Sequence, residues 1–303
     1  MDSKDIINSP IYYSGSKYSA IRHGLLDLFP KDIDTLYEPF CGSCIVSLNT
    51  DAKRYVISDK SSQLIQIINM FKRPKHILLN SLDTVIHDLE LQSDLYPNFD
   101  IRSKLFNEEH YNFHKEQYNK LRDVYNDNRD IVLFLYLLTI YSFSHQIRFD
   151  AKGNFNMPVG PGKFTDYNRN NIETFCDWIT NNNVLLYDLD YKKVLDICLI
   201  SCGKNDFIYL DPPYYGTVAT YNENGGWTLE DDYNLFNYLD DLTKKSIKWG
   251  MSNVILTRDK NAHLLHWAKS QGYNIYVLDG VKYAISYDDY ENANRKEVYI
   301  TDY

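Results

Sequence analysis

One segment of the sequence combines a carboxylate, two prolines and an aromatic ring in an arrangement that suits catalysis. The apolar run in Phe207-Ile-Tyr-Leu-Asp-Pro-Pro-Tyr214 ends at Asp211, and Pro212 and Pro213 follow directly. A residue that precedes proline favours an extended conformation, so the Asp211 carboxylate and nearby carbonyl oxygens become fixed acceptors. Fixed acceptors beside the Tyr214 ring suit an amino group on a planar ring. The alternative is a strand end followed by a Pro-Pro turn with a packing tyrosine.

Two further segments suit a nucleoside and an anionic group. Glu38-Pro-Phe-Cys-Gly-Ser-Cys44 lies between a predicted strand and a helix, where backbone N–H groups near Gly42 approach a ligand closely. Asp59 ends the next strand, where nucleoside-binding α/β folds place an acid for the ribose hydroxyls. Tyr13-Ser-Gly-Ser-Lys17 precedes a helix and favours a carboxylate or phosphate. The alternatives are an ordinary strand–helix turn with a solvated Asp59, and a solvated Lys17.

The cysteines raise the question of a metal or redox site. Cys41 and Cys44 form a CxxC pair, but no second CxxC with matching histidines exists, and Cys198 and Cys202 are four residues apart. We therefore predict no metal site and expect the first pair to pack beside the turn. The odd count of five and the polar, acidic first residues favour a reducing compartment over secretion.

The elements that must position these residues alternate between strands and helices. The predicted strands are Thr35–Pro39, Arg54–Ser58, Val184–Tyr187, Phe207–Leu210, Ile247–Met251, Ile275–Leu278 and Glu297–Thr301. The predicted helices include Ser19–Leu28, Ile131–Tyr141, Asp231–Leu242 and Ala262–Lys269. This alternation, interrupted by a helical stretch, predicts an α/β fold: a doubly wound sheet with a helical insertion. We place one domain in residues 1–75 and 173–303, and the inserted domain in residues 76–172.

Charge separates the middle of the chain from its flanks. The formal net charge is −9, which argues against a basic protein that coats nucleic acid. Residues 101–170, however, hold 10 Lys and Arg against 8 Asp and Glu. A locally basic surface in an acidic chain remains compatible with an enzyme that acts on DNA. The longest apolar run, residues 131–141, is too short to span a bilayer.

Four motifs in order carry a resemblance to a known family. They are Tyr-Ser-Gly-Ser-Lys at 13–17, Glu-Pro-Phe-Cys-Gly at 38–42, Ser-Asp at 58–59 and Asp-Pro-Pro-Tyr at 211–214. Further matching stretches lie at 147–156, 217–222, 247–253 and 297–300. Together they resemble the α-group DNA adenine methyltransferases, the Dam family, and within it most of all the Dam enzymes of T-even phages. The resemblance covers essentially the whole chain and implies a Rossmann-like methyltransferase sheet with a helical target-recognition insertion.

The resemblance also implies the cofactor and the catalytic residues. S-adenosylmethionine would be lined by Tyr13, Lys17, Phe40, Gly42, Asp59 and Asp211. Lys17 would face its methionine carboxylate and Asp59 its ribose hydroxyls. The target adenine, flipped out of the duplex, would be held by Asp211, Pro212, Pro213 and Tyr214. Tyr214 would stack on the base while the Asp211 carboxylate and the Pro212 carbonyl accept both hydrogens of the exocyclic amine, and no covalent enzyme intermediate is needed.

Double-stranded DNA is the partner that the resemblance implies, with no membrane and no metal. The candidate DNA-binding residues of the middle domain are Ser144, His145, Gln146, Arg148, Asn154, Asn156 and Lys163. GATC is the expected target, and the cytoplasm of a bacterium, or of the bacterial host of a phage, is the expected location. Three positions depart from the family pattern: Cys44 replaces a glycine, Ser16 replaces a common glycine, and Val159-Gly-Pro-Gly replaces Pro-Phe-Gly.

Other functions remain as alternatives. A modification enzyme of a restriction–modification system with a different palindrome, and a non-catalytic DNA-binding relative, are both compatible with the resemblance. A dinucleotide-dependent oxidoreductase is disfavoured, because the turn after the first strand lacks a complete GxGxxG and Asp-Pro-Pro-Tyr would have no role.

Overall fold

A computed structural model describes residues 6–92, 108–215, 226–255, 261–278, 280–281 and 296–303. The stretch 217–222, which carries part of the family resemblance, lies outside the described residues. The described strands are β1 (Ile33–Glu38), β2 (Ala52–Ser58), β3 (Val184–Tyr187), β4 (Phe207–Leu210), β5 (Lys248–Ile255), β6 (Asn274–Leu278) and β7 (Lys296–Thr301). The described α-helices are α1 (Tyr18–Arg22), α2 (Ile45–Asn49), α3 (Ser62–Met70), α4 (Lys75–Asp88), α5 (Glu108–Asp127), α6 (Val132–Tyr141), α7 (Asp166–Asn181), α8 (Tyr191–Ser201), α9 (Leu229–Lys244) and α10 (Ala262–Gln271).

The described strands form a single sheet in the order β3-β2-β1-β4-β5-β7-β6. Pairs from β3 through β5 are parallel, whereas β7 runs antiparallel to both β5 and β6. The strand order reverses between β1 and β4, and Leu36 of β1 pairs with Phe207 of β4. Ligands of open α/β sheets bind beyond the carboxyl ends of the strands at such a reversal. The predicted α/β fold with a doubly wound, Rossmann-like sheet is confirmed.

The interior strands are apolar because both faces of the sheet are covered. All four residues of β4 are buried, as expected of a central parallel strand. At the edge of the sheet, Leu185 and Tyr187 of β3 are exposed. Strand burial therefore places the carboxyl ends of β1, β2 and β4 at the middle of the sheet, where Asp59 and Asp211 follow.

Clustering of the contacts divides the chain into two compact units. One contains the described residues of Met1–Asn8, Ser16–Ser61 and Asn182–Tyr303, and the other contains those of Ser9–Gly15 and Ser62–Asn181. The first unit holds the sheet. The described part of the second unit holds α3 to α7 and two isolated bridges, between Ser142 and Val159 and between Phe149 and Phe155.

The divisions differ from the predicted boundaries after residues 75 and 172. Helix α3 falls in the second unit, where it packs against α6 and the ring of Phe71 meets that of Tyr136 edge-on. Helix α7 also falls there, because it packs against α4 and Arg169 forms an ion pair with Asp83. The boundaries between the two units therefore follow the packing of the amphipathic helices α3 and α7. They do not follow the change in composition along the sequence.

The helix predicted over Ser19–Leu28 was wrong in extent. Helix α1 ends at Arg22, and a separate 3₁₀ turn covers Leu25–Leu28. Gly24 lies between them with a φ of +92°, a conformation that glycine adopts without steric cost and that ends an α-helix. Among the described residues, no helix is both long enough and apolar enough to cross a membrane.

Candidate active site

Three side chains meet where β4 ends. Asp211 directly follows the strand, and its Oδ2 lies 2.7 Å from Nζ of Lys17. Lys17 also donates to the hydroxyl oxygen of Tyr214 at 2.7 Å, and that hydroxyl donates to Oδ1 of Asp211 at 2.9 Å. The three groups close a ring of hydrogen bonds, so the carboxylate is held by two donors. Each of its oxygens keeps acceptor capacity for a further donor.

The charge of this cluster is set by burial. Lys17 is only 6% exposed, and Glu297 of β7 places Oε1 3.7 Å from its Nζ. Burial raises the pKa of Asp211, while the neighbouring Lys17 ammonium and the Tyr214 hydroxyl oppose that rise. Lys17 therefore favours the ionised carboxylate, the form that accepts hydrogen bonds. Of the two prolines, Pro212 is buried and Pro213 is half-buried.

The turn after β1 meets the acid that follows β2. The backbone N–H of Gly42 donates to Oδ2 of Asp59 at 3.3 Å, and the N–H of Ser61 donates to Oδ1 at 3.0 Å. Gly42 and Cys44 have φ values of +46° and +59°, so the turn passes through left-handed conformations before α2. Burial raises the pKa of Asp59, and these backbone hydrogen bonds oppose the rise. The sequence singled out Gly42 and Asp59 as separate cofactor residues, and their contact was not predicted.

Glu38 is a further buried acid that the sequence analysis did not select. It ends β1, accepts from the Ser47 N–H at 3.2 Å, and also accepts from the Ser47 hydroxyl. Burial, together with the nearby negative charges of Asp211 and Asp59, raises the pKa of Glu38 to about 8. Its place at a carboxyl end in the middle of the sheet was the signal that could have identified it.

An aromatic group surrounds Phe40 in the same turn. The Phe40 ring stacks on Tyr191 with centroids 5.0 Å apart and meets Trp227 edge-on at 5.8 Å. Tyr191 and Trp227 are themselves 5.6 Å apart. Tyr191 and Trp227 were missed because they are more than 150 residues from Phe40 in sequence. Tyr13, the remaining predicted cofactor residue, lies in Ser9–Gly15 of the second unit, and its role stays a prediction.

The candidate DNA-binding residues lie on turns of the second unit. Ser144 and His145 have φ values of +58° and +54°, which are uncommon for residues other than glycine. The His145 ring stacks on Tyr12 at 4.4 Å, and its Nδ1 donates to the carbonyl of Thr139 at 2.9 Å. Phe143 precedes them and is 51% exposed. This exposed aromatic ring was also missed; its place beside the selected residues was the available signal.

Two glycines of the altered loop hold this turn in place. A Cβ on Gly160 would lie 2.5 Å from the carbonyl oxygen of Ser142, and one on Gly162 would lie 1.9 Å from that of Ile140. The N–H of Gly160 donates to the carbonyl of Tyr141 at 2.8 Å. The Val159-Gly-Pro-Gly segment therefore packs against the end of α6 at a distance that only glycine permits.

The remaining candidates form a second turn and its flanks. Arg148 donates through Nε to Oδ1 of Asn156 at 2.7 Å and also to the Asn156 carbonyl at 3.1 Å. Asn154 accepts from Arg129 at 2.6 Å and donates to Asp150 at 3.2 Å. Gln146 is half-buried, and Lys163 is exposed. Arg148 therefore forms a hydrogen bond with Asn156, whereas Asn154 forms one with a different cation, Arg129.

The CxxC cysteines are buried beside the cofactor turn. Burial raises the pKa of the thiols of Cys41 and Cys44, which keeps both protonated at neutral pH. Within the described ranges, no group of His, Cys, Asp and Glu is arranged to hold a metal ion.

Comparison with known proteins decides the family. The sequence model of the D12 class N6 adenine-specific DNA methyltransferases matches residues 13–283. The chain belongs to this family. This match confirms the resemblance to the DNA adenine methyltransferases that the sequence showed. The more particular resemblance to phage Dam enzymes stays a prediction.

Individual relatives of the D12-class chain include modification enzymes and a Dam enzyme. The modification methylase StsI of Streptococcus sanguinis is 30% identical over 99% of this chain and 44% of its own length. The type II methyltransferase M.FokI of Planomicrobium okeanokoites is 28% identical over 98% of this chain and 43% of its own. The DNA adenine methylase of Escherichia coli (strain K12) is 28% identical over 80% of this chain and 82% of its own. The chain thus spans less than half the length of the two modification enzymes.

The first unit of this D12-class chain fits S-adenosylmethionine, the methyl donor of such methyltransferases. Asp59 places carboxylate oxygens after β2, the position at which nucleoside-binding α/β folds hold an acid for the ribose hydroxyls. Lys17 lies 2.7 Å from Asp211 and 3.7 Å from the buried Glu297, so two acids face this one ammonium group. A surplus of acid at this end of the sheet favours a ligand that carries a positive charge, as a sulfonium does.

Proposed function

We propose that this chain is a site-specific DNA methyltransferase that methylates the exocyclic amine of an adenine flipped out of duplex DNA. The observation that carries the proposal is the ring of hydrogen bonds among Lys17, Asp211 and Tyr214 at the end of β4. It lies in a chain of the D12 family, beside a sheet position where a nucleoside-containing cofactor binds. A non-catalytic relative is disfavoured, because this tetrapeptide retains its buried charge partner.

Within the tetrapeptide, one side chain holds the adenine base, and two other groups activate its exocyclic amine. Tyr214 provides an aromatic face for the flipped adenine, which recovers part of the cost of unstacking. The Asp211 carboxylate and the Pro212 carbonyl accept the two amine hydrogens. Their fixed positions concentrate the nitrogen lone pair in one direction before the reaction begins. Lys17 holds the carboxylate by donating to it and to the Tyr214 hydroxyl.

Cofactor binding is assigned to residues of the strand ends and the first turns. When bound, S-adenosylmethionine supplies an electrophilic methyl group on a sulfonium centre. Asp59 would accept from its ribose hydroxyls, and Gly42 permits close approach of the backbone. Phe40 provides an apolar wall, while Tyr13 and Lys17 complete the proposed set. After methyl transfer the amine carries one proton too many, and the oxygen of Asp211 is placed to take it.

The second unit is proposed to bind and read the DNA. It would use Ser144, His145, Gln146, Arg148, Asn154, Asn156 and Lys163, because base-edge contacts need polar side chains on an accessible turn. Phe143 joins this proposal because its ring is 51% exposed beside Ser144 and aromatic rings stack on bases. GATC is the proposed target, by analogy with Dam enzymes.

A second candidate function is modification within a restriction–modification system at a different target palindrome. Two modification methylases match 98–99% of this chain, whereas the E. coli Dam enzyme matches 80%. The same chemistry would then protect a different sequence, so this candidate changes the target and leaves the active site unaltered.

One experiment tests both parts of the proposal. DNA from a methylation-deficient host is incubated with the purified protein and S-adenosylmethionine, then read by long-read sequencing and by digestion with nucleases sensitive to GATC methylation. N6-methyladenine in one sequence context supports the enzyme, and methylation at GATC supports the proposed target. Methyladenine elsewhere with unmodified GATC would favour the modification enzyme. Absence of methyladenine, with S-adenosylmethionine bound, would overturn catalysis on DNA.

A further inference from the structure

A buried carboxylate near the start of α9 joins two side chains from different segments. Asp232 is 3% exposed, and its Oδ1 accepts from the indole N–H of Trp227 at 2.6 Å. Its Oδ2 accepts from Nε2 of His263 in α10, also at 2.6 Å. The helix cap uses a different acid, because Asp231 exchanges hydrogen bonds with Thr228. Asp232 is therefore free of the capping role and points inward.

Each donor to Asp232 touches a different part of the proposed active site. Trp227 packs edge-on against Phe40 and lies 5.6 Å from Tyr191, so it belongs to the aromatic wall of the cofactor turn. His263 meets the ring of Tyr215 edge-on at 5.4 Å. Tyr215 directly follows the Asp-Pro-Pro-Tyr tetrapeptide. One carboxylate thus connects the wall beside the cofactor turn with the residue after the catalytic segment.

Burying the Asp232 carboxylate costs free energy, and the packing of α9 against α10 does not require a carboxylate there. Burial raises the pKa of Asp232, and the two donors only partly oppose this. An apolar side chain of similar volume would fill the space between α9 and α10 without removing a carboxylate from water. Two short hydrogen bonds, by contrast, fix the orientation of an indole and of an imidazole, which apolar contacts do not do.

We propose that Asp232 is a positioning residue that holds Trp227 against Phe40 and His263 against Tyr215, and thereby fixes the cofactor wall and the end of the catalytic segment relative to each other. This inference rests on the proposed function. Asp232 acts through its two partners and touches neither substrate nor cofactor itself.

The same helix provides a matched control. Asp240, two turns further along α9, accepts from the indole N–H of Trp267 at 3.1 Å and from the Tyr273 hydroxyl at 2.7 Å. It is the same acid and also accepts from an indole, but its second donor is a phenol and its partners pack around Trp249 in the core of the first unit. Asp232→Asn and Asp240→Asn therefore make the same chemical change with and without a connection to the proposed site.

The test compares the two variants in three measurements: the S-adenosylmethionine dissociation constant without DNA, the kcat and KM of methylation, and thermal unfolding. Because a charge-assisted hydrogen bond is lost, we expect Asp232→Asn to weaken cofactor binding and to lower kcat, each on the order of tenfold. Asp240→Asn should change both by about twofold or less, although it lowers the melting temperature similarly.

Substitutions of the two donors, Trp227 and His263, separate the effect on cofactor binding from the effect on kcat. Trp227→Phe keeps the ring and removes the donor, so it should weaken cofactor binding more than it lowers kcat. His263→Gln keeps an amide donor and should retain more kcat than His263→Leu. Equal effects of Asp232→Asn and Asp240→Asn, or unchanged binding and kcat in Asp232→Asn, would overturn the inference alone. Failure of the wild-type protein to bind S-adenosylmethionine would overturn the proposed function and this inference together.

Discussion

The two units hold their candidate residues in different ways. In the first, Glu38, Asp59 and Asp211 each lie at the carboxyl end of a parallel strand, so the pairing of the strands brings them together. In the second, the candidates lie on turns held by glycine contacts, a histidine–carbonyl bond and left-handed backbone. A sheet places residues by a general rule, whereas these turns depend on individual tertiary contacts. Substitutions should therefore act locally in the first unit and through backbone geometry in the second.

We expect the largest effect from substitution of Asp211, which directly follows β4. Asp211→Ala removes an acceptor for the adenine amine and the charge partner of Lys17, so methylation should fall on the order of 100-fold or more. The fold should persist, since β4 is held by buried apolar residues. Asp206→Ala is the control: this acid precedes the same strand and accepts from the Gly203 N–H, at the opposite end of the strand from Asp211. If Asp211→Ala methylated DNA in a single turnover at nearly the rate of the control, the carboxyl end of β4 would not be the catalytic centre.

The next effect concerns the turn packing of the second unit. Gly162→Ala places a methyl group against the Ile140 carbonyl, and overpacking of this kind costs about 1–3 kcal/mol. We expect weaker DNA binding, measured by fluorescence anisotropy, with unchanged S-adenosylmethionine binding. Gly203→Ala, where the added Cβ would be 3.7 Å from the nearest atom, should change neither. If Gly162→Ala weakened cofactor binding instead, the two units would not be separable in function.

Glu38 gives a pH-dependent test of the sheet site. Its pKa is raised to about 8, so the folded protein retains a proton that the unfolded chain releases near the ordinary glutamate value. This stabilisation is present below the unfolded pKa and is lost as the pH rises through the folded pKa. Glu38→Gln should remove up to about 1.4 kcal/mol per pH unit from the slope of the unfolding free energy between pH 5 and 8. Denaturant unfolding at several pH values measures it, and parallel slopes for variant and wild type would contradict the buried, protonated Glu38.

The smallest effect is expected at Arg148. If this guanidinium exchanges its Asn156 contact for a DNA phosphate, Arg148→Ala should reduce the log–log salt dependence of DNA binding by roughly one unit. Cofactor affinity without DNA should not change. Arg129→Ala, which removes a guanidinium bonded to Asn154, is the matched control. A loss of cofactor affinity in Arg148→Ala would place that residue with the first unit's chemistry.

The contrast between the units also explains what the sequence could predict. The runs at Val184–Tyr187 and Phe207–Leu210 coincide with β3 and β4, because short apolar stretches bounded by turn residues are typical of buried parallel strands. The same periodicity placed the Gly42 turn and Asp59 after successive strands, although their hydrogen bond was not predicted. The contact of Lys17 with Asp211 and the aromatic group around Phe40 were not predicted either, since those residues are distant in sequence. The glycine packing of residues 160 and 162 likewise depends on the end of α6, which no local pattern reveals.

The position of β7 has a consequence for how this protein folds during synthesis. β7 follows β6 in the sequence, yet it lies between β5 and β6, and among the described strands β6 pairs with β7 alone. Until β7 leaves the ribosome, β5 presents an unpaired edge and β6 has no neighbour, a state that is prone to association with other chains. Because Glu297 lies on β7, this carboxylate near Lys17 also arrives only then. We therefore expect the sheet and the proposed catalytic centre to be completed only once β7 has left the ribosome and has paired with β5 and β6.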